Sequence, residues 1–589
     1  MSFTKVLRTA SFPLFVVAVA QFFCVSLGFG QYGASPSQTG MFFDDLRMRQ
    51  VNERAATKAS TRDGDVSYDY DSGVYRDSES EPMGQRNNSF EAARSVNRPS
   101  VNSGSSAYAA RSVGDFTNYS GQYTSPTGFF APTYSSDPFL GGKRNLKVGP
   151  VNVGFGLYQG VEYNDNINRS GTGAISDIIS TTLLSIDANY QITQNNRLSI
   201  STAVGFDRYW ENPELAPYGS GNGLVLNILP GSTIAFDIKA GPVFFTLYNR
   251  FSVRPAARND FALSQNQTFG VFQNDSGLAA NWRINSEWTL ALNYMHSIAK
   301  SLSQVQNSAG QNQTPDAFNR TTDSLQGSLT YSPNGTWTAG LEGGITNVQY
   351  ETKFNNAGNL FNMGAFVVLP VGKTTYLRAA AGSQVYQFEK PEITGYGITG
   401  PEDAFTNALA RTEDNSDLND FYYSLTASNT LNSRISQSLT IGHESALNLT
   451  SNYVTSDFIN YGLSVVAWRG SKISLSGYVE NSEASGGVLG QTIQQHGFDL
   501  YIAHRINTKL QLGAGFHYGY TDPQSQRANN PFNSSPFTQH AFNVDLTYVL
   551  SQKSTLNLGY RHLVTDVSND TDNLSFDQNR LILGFNYNF

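Results

Sequence analysis

The residues best placed to do chemistry are His443 and Ser445, two apart in the stretch Gly442-His443-Glu444-Ser445. On an extended chain that spacing puts them on one face, which also carries Leu439 and Ile441. An imidazole beside a hydroxyl is the pairing that activates a serine toward an ester carbonyl. The sequence also carries the counter-argument. Histidine recurs at a similar height in Tyr294-Met295-His296-Ser297 and Tyr560-Arg561-His562-Leu563. A position that repeats along the chain reads as an anchor, and no enzyme is expected. Metal-ligand spacings, a phosphate-binding loop and a dinucleotide fingerprint are missing from the sequence, so no cofactor or metal is expected.

The other candidates are charges set singly among small polar residues: Glu162, Asp187, Asp207, Asp237, Arg250, Glu342, Arg378, Asp499, Arg505, Asp545, Arg561 and Arg580. Their signs are mixed, and Gly, Ser, Thr, Asn and Gln fill most of the neighbouring polar positions. Each stands opposite an apolar stripe in a segment that alternates with period two.

Those segments are the positioning elements. Read backwards from Phe589, one face is Phe589, Tyr587, Phe585, Leu583 and Leu581; the other is Asn588, Asn586, Gly584, Ile582 and Arg580. Strict alternation marks a strand with one apolar and one polar side. Val151, Val153, Phe155, Leu157, Gln159, Val161 and Tyr163 repeat the pattern, as do Leu510–Tyr518, Phe542–Leu550 and Leu556–Tyr560. Short turn-forming stretches fall at Gln194–Asn196, Lys239–Pro242, Asn285–Glu287, Ser332–Gly335, Val371–Lys373, Asn432–Arg434, Arg469–Lys472, Asn507–Lys509 and Ser551–Lys553. Longer polar loops lie between them, for example 300–319, 390–418 and 522–537.

Short turns on one side and long loops on the other are the asymmetry of an all-β, transmembrane, antiparallel up-and-down β-barrel in an outer membrane. The nine short turns join eighteen strands, and one more strand at each end brings the count to about twenty, between eighteen and twenty-two. Stacked soluble sheets, which rearrange in Greek keys, fit an uninterrupted up-and-down order less well. The stretch 222–254 can be divided in more than one place. If the apolar stripes meet lipid, the charged set lines the lumen, and its small neighbours leave room for water. The alternative is a cross-strand charge network bracing a closed barrel. The acidic loop 390–418, with Glu413, Asp414 and Asp417 and Asp420 beside it, either narrows that lumen or is solvated outside.

Composition agrees. Aromatic residues make up 13% of the 589, with 31 Tyr and 38 Phe, while hydrophobic residues reach only 39%. Lys5 and Arg8 precede an apolar run from Pro13 to Val25 and small residues at Gly28–Gly30, the layout of a cleavable secretory leader over residues 1–30. No later run reaches the ~18 apolar residues a spanning helix needs. Cys24, the only cysteine, falls inside the leader. The formal charge of −8 becomes −10 without Lys5 and Arg8, and with no basic patch a nucleic-acid partner is not expected. Residues 31–149 are polar, too poor in Leu, Ile and Val to support a core, and should be mostly disordered. Asp44–Lys58 is the one short helix to expect there, and Phe129–Pro132 could tuck against a barrel mouth. The barrel itself should occupy residues 150–589.

Three resemblances follow. The His-x-Ser order resembles that of outer-membrane phospholipase, but Ala446 and Leu447 stand where that enzyme has Asn-Gly, which leaves lipid hydrolysis a remote alternative. Gly160-Val161-Glu162-Tyr163-Asn164-Asp165-Asn166-Ile167-Asn168-Arg169-Ser170, with Ser176-Asp177-Ile178 after it, resembles the opening hairpin of the β-barrel porin 2 family. Asn164 replaces the more usual Asp. That resemblance implies a bacterial outer-membrane barrel, with some members associated with exopolysaccharide export. Gly584, Tyr587 and Phe589 resemble the terminal signal read by the barrel-assembly machinery, which implies periplasmic chaperones and that machinery as partners alongside outer-membrane lipid. The expected function is a porin-like channel for passive passage of small hydrophilic solutes. The alternative is a non-conducting structural barrel that meets polysaccharide-export components.

Overall fold

A computed structural model describes residues 146–589, apart from 217–221, 258–267, 303–304, 307–311, 314–318, 334–336, 352–355, 390–415, 448–451, 486–490, 526–534, 569–574 and positions 373 and 469. The expectations for the leader, the Asp44–Lys58 helix, the Phe129–Pro132 patch and most of loop 390–418 lie outside those residues.

The ladder starts with β1 (Leu146–Val148), β2 (Val151–Asn164), β3 (Asp177–Gln191), β4 (Asn196–Tyr209), β5 (Leu224–Ala240), β6 (Val243–Ala257), β7 (Thr268–Arg283) and β8 (Trp288–Ser301). A two-residue hairpin, β9 (Val305–Gln306) and β10 (Asn312–Gln313), stands apart from the main sheet. The main sheet resumes with β11 (Arg320–Tyr331), β12 (Thr338–Tyr350), β13 (Gly358–Val371), β14 (Thr375–Phe388), β15 (Leu418–Asn432), β16 (Ile435–Leu447) and β17 (Tyr453–Trp468). It ends with β18 (Ser471–Ala484), β19 (Gln491–Arg505), β20 (Leu510–Ser525), β21 (Phe537–Ser551), β22 (Ser554–Val567) and β23 (Phe576–Asn588). Each long strand pairs antiparallel with its neighbours in sequence, β8 pairs with β11, and β23 pairs back to β2. β2–β8 and β11–β23 therefore form a closed, twenty-stranded, up-and-down antiparallel barrel. Closure leaves no unpaired sheet edge.

The connections alternate as the turn residues demand. All nine expected short turns join strands at one end. Asn285 accepts the backbone N–H groups of Glu287 and Trp288 with its side chain, and Asn507 does the same for Lys509 and Leu510. These local bonds satisfy turn donors that the ladder cannot reach. Gly241 takes φ +60° in the turn between β5 and β6, a left-handed conformation in which a Cβ is strained.

The outward face is apolar. Val161, Leu184, Leu226, Leu247, Leu325, Leu341, Met363, Leu425, Leu558 and Leu583 are all exposed on it, so it needs lipid rather than water as solvent. Its ends are aromatic. All five tryptophans are exposed at or beside strand ends: Trp210 at the long-loop end, and Trp282, Trp288, Trp337 and Trp468 at the short-turn end. Four tryptophans at one end and one at the other, with an apolar band between them, lie where the interfaces of a bilayer favour them.

The ambiguous stretch 222–254 is a bulge inside one strand. Between the rungs Ser201–Thr233 and Val204–Ile228, β4 supplies two residues and β5 supplies four, Leu229 to Ser232. Pro230 has no N–H to give a ladder, which suits a bulge. The Ser232 hydroxyl donates to the Leu229 carbonyl at 2.8 Å and accepts from Thr202 Oγ1 at 3.1 Å.

The seam between β2 and β23 closes without a connecting turn. It has nine rungs, from Gly156–Asn588 to Asn164–Arg580, and Phe589 N donates to Phe155 O at 2.9 Å. Below that point β1 takes over the same edge of β2, pairing Leu146 with Val153 and Val148 with Val151. The ladder thus begins at Leu146, a few residues before the expected boundary at 150.

Candidate functional site

The inward face carries polar and charged groups. Register places all twelve residues of the charged set opposite the exposed apolar stripe. Arg580 donates through Nε and Nη2 to Glu162 at 2.6 and 2.7 Å across the closing seam. Asp207 accepts from Thr181 Oγ1 at 2.7 Å and Asn227 Nδ2 at 3.2 Å. Asp237, wholly buried, takes Arg197 at 3.1 Å and the Thr246 hydroxyl at 2.8 Å. Arg250 pairs with Asp275 at 3.2 Å and lies over the Tyr248 ring. Arg378 pairs with Glu342 at 3.2 Å, and the Tyr422 hydroxyl donates to the same carboxylate at 3.1 Å. Asp499 meets His517 Nδ1 at 2.6 Å. Asn543 Nδ2 donates to Asp545 at 2.8 Å. Arg561 sits beside Arg580 on one rung, Asp187 is buried opposite Gly154 and Ser201, and Arg505 stands half-exposed at the short-turn end.

Five charged or basic groups along the body of the inward face were not among the sequence candidates: Arg197, Asp275, Glu444, Glu480 and His517. Glu444 is adjacent to His443 and so belongs to the opposite face; the same parity argument, applied to every segment, finds the others. Glu480 accepts from the Ser482 hydroxyl at 2.6 Å and the Ser456 hydroxyl at 3.4 Å.

Aromatic rings lie flat on inward glycines. A Cβ on Gly584 would sit 2.9 Å from Tyr158 Oη, and one on Gly160 would sit 2.5 Å from the same atom. Phe366 covers Gly340 and Tyr478 covers Gly497 in the same way, at 2.6 and 2.9 Å. Such contacts pin register where a glycine leaves the sheet without a side chain. Tyr158 also packs on Leu183, Ala203 and Leu229, an apolar patch beside the seam.

His443 and Ser445 do not form a nucleophile–base pair. His443 Nδ1 faces Asp457 at 2.8 Å and Nε2 faces Asp420 at 3.2 Å, so both ring nitrogens are held by carboxylates. The ring is stacked on Phe421 and Tyr423. The Ser445 hydroxyl instead meets Thr455 Oγ1 at 2.9 Å and Asp420 at 3.4 Å. Pairing of β15 with β16 stops at Tyr423–His443, and beyond it Gln384 and Tyr386 reach from β14 to bond the Ser445 backbone at 3.0 and 2.7 Å. His296 and His562 repeat the anchor arrangement, paired with Asp323 at 2.9 Å and Asp577 at 3.3 Å. Among the described residues no group of three or more His, Cys, Asp or Glu is disposed to hold a metal ion.

No protein-family model matches the chain. No curated protein matches it either. Among solved structures, the FrpB iron transporter of Neisseria meningitidis superposes with a TM-score of 0.46 and 9% identity, over 74% of this chain and 82% of that one. The outer membrane protein OpdK of Pseudomonas aeruginosa gives a TM-score of 0.36 at 11% identity, over 74% and 99% of the two chains. A BenF-like porin of Pseudomonas fluorescens gives 0.37 at 12%, again over 74% and 99%. At these scores the likeness carries nothing about activity, and the functional argument rests on the barrel's own two faces.

Proposed function

We propose that this chain resides in an outer membrane, with its short turns in the periplasm, and that its interior is a hydrated path for passive passage of small hydrophilic solutes. One observation carries the reading: a closed twenty-stranded barrel has an apolar, tryptophan-bounded outside and a charged, hydroxyl-rich inside. A barrel of this strand number is wide enough for water in its lumen. The sign of the wall adds a preference. Ten carboxylates face inward along its body (Glu162, Asp187, Asp207, Asp237, Asp275, Glu342, Glu444, Glu480, Asp499, Asp545) against five arginines (Arg197, Arg250, Arg378, Arg561, Arg580). Lys239, Lys472 and Arg505 lie at the short-turn rim, and Asp177, Asp420 and Arg320 at the long-loop rim. An acidic wall of low dielectric concentrates counter-ions of opposite sign, so cations should pass more readily than anions. Gly584, Tyr587 and Phe589 fit a terminal strand handed to the assembly machinery.

Planar-bilayer recording of the refolded protein under a salt gradient tests the reading. Discrete conductance steps with a reversal potential displaced toward that of the cation are expected. A silent, heat-modifiable barrel would instead favour the braced, non-conducting scaffold, which the paired inward charges also suit.

A further inference from the structure

Among the described residues, the two rims differ in charge. Among the described residues, an exposed cation lies in or beside six of the nine short turns: Lys239, Arg283, Arg434, Lys472, Lys509 and Lys553. Glu287 is the one acidic side chain among the described residues of those turns. The opposite rim exposes carboxylates at Glu211, Glu214, Glu351, Glu389, Asp417 and Glu483. A cationic ring some tens of ångströms across attracts an anionic partner on that side only.

The chain supplies one. Between Asp63 and Glu81 the sequence DGDVSYDYDSGVYRDSESE has seven acids and one base, a net charge of −6 in 19 residues. β1 pairs with the first three residues of β2, so the described chain begins, at Leu146, within a few residues of the short-turn rim. About 65 residues separate Glu81 from Leu146, a length that spans at most roughly 200 Å. The barrel diameter is about 40 Å for twenty strands at their usual spacing and tilt. Every basic turn is therefore within reach, and the tether holds the segment at an effective concentration on the order of millimolar.

We propose that the basic short-turn rim is a docking surface for the chain's own acidic segment Asp63–Glu81. The contact is electrostatic, with Tyr68, Tyr70 and Tyr75 available to lie against lysine and arginine side chains. It uses no residue from the body of the inner wall and holds whether or not the barrel conducts, so a silent bilayer recording leaves it untouched.

Zero-length carbodiimide cross-linking of the mature protein in zwitterionic-lipid nanodiscs, read by mass spectrometry, tests it. Cross-links are expected from carboxylates of 63–81 to Lys239, Lys472, Lys509 and Lys553. They should fall about tenfold when salt rises to about 0.5 M, where screening acts within a few ångströms. A variant with the seven acids changed to Asn or Gln keeps the barrel intact, as heat-modifiability will verify, and should lose them. Overturning results are cross-links absent at low salt, cross-links that favour Lys300 at the other rim, or cross-links only between isotopically heavy and light copies. Loss of the cross-links in nanodiscs of phosphatidylglycerol would also overturn the proposal, since lipid headgroups would then be the rim's occupant.

Discussion

The closing seam and the β13–β14 pair join strands of similar length by different means. β13 and β14 are linked by a tight turn and share fourteen rungs, from Gly358–Phe388 to Val371–Thr375. β2 and β23 have no turn between them and share nine. The seam compensates with side chains. Arg580 grips Glu162, Tyr158 lies on Gly160 and Gly584, and Asp165 accepts both the backbone and the side-chain N–H of Asn579 at 2.7 and 2.8 Å. Asn166 Nδ2 donates to Asp577 O, and Gln578 Nε2 donates to Asn166 O. The two halves of the seam come from opposite ends of the chain, so these contacts close the longest possible loop, whose entropy the short turn at β13–β14 never has to offset. Non-covalent closure is therefore reinforced by a cluster of specific side chains, whereas the turn-linked β13–β14 pair has fourteen rungs against the seam's nine.

That contrast can be broken at three places. Arg580→Ala strands a mostly buried Glu162 carboxylate and should cost about 3 kcal/mol in urea unfolding of the refolded barrel. It should also lower the yield of the heat-modifiable form, whereas Arg378→Ala, which breaks the pair with Glu342 inside the ladder, should lower stability with little loss of yield. Equal losses of yield from both variants would remove the distinction. Gly584→Ala forces the Tyr158 ring off the seam, at a cost of about 1–3 kcal/mol; adding Tyr158→Ala should restore tolerance of the alanine, and a strictly additive double variant would contradict the ring-on-glycine contact. The smallest effect, about 1 kcal/mol, is expected from Asp165→Ala, which leaves Asn579 to solvent at the long-loop rim. Hydrogen exchange at the upper rungs of β2 and β23 should quicken in that variant while β13 and β14 stay protected.

Much of this was legible in the residues. The alternation in Leu581–Phe589 and Val151–Tyr163 identified the two strands that meet, and the turn formers located all nine short connections. The stretch Gly160–Ser170, which resembles a family's opening hairpin, supplies Asn164, Asp165 and Asn166 to the upper clasp of the seam. What was not legible has a common cause. Asp237 and Arg197 are neighbours because the register of β4 on β5 makes them so, and the bulge at Leu229–Ser232 resets that register along the strand. His443 looked like a partner for Ser445, but two carboxylates from flanking strands hold it instead.

The sequence by itself determined strand identity, facing and order, because side-chain direction alternates every residue and turn chemistry is local. Only the tertiary structure decided which inward charges pair, where the wall is braced by rings on glycines, and how the last strand meets the first. Those depend on register and closure, which are properties of the whole ring of strands and of no single one.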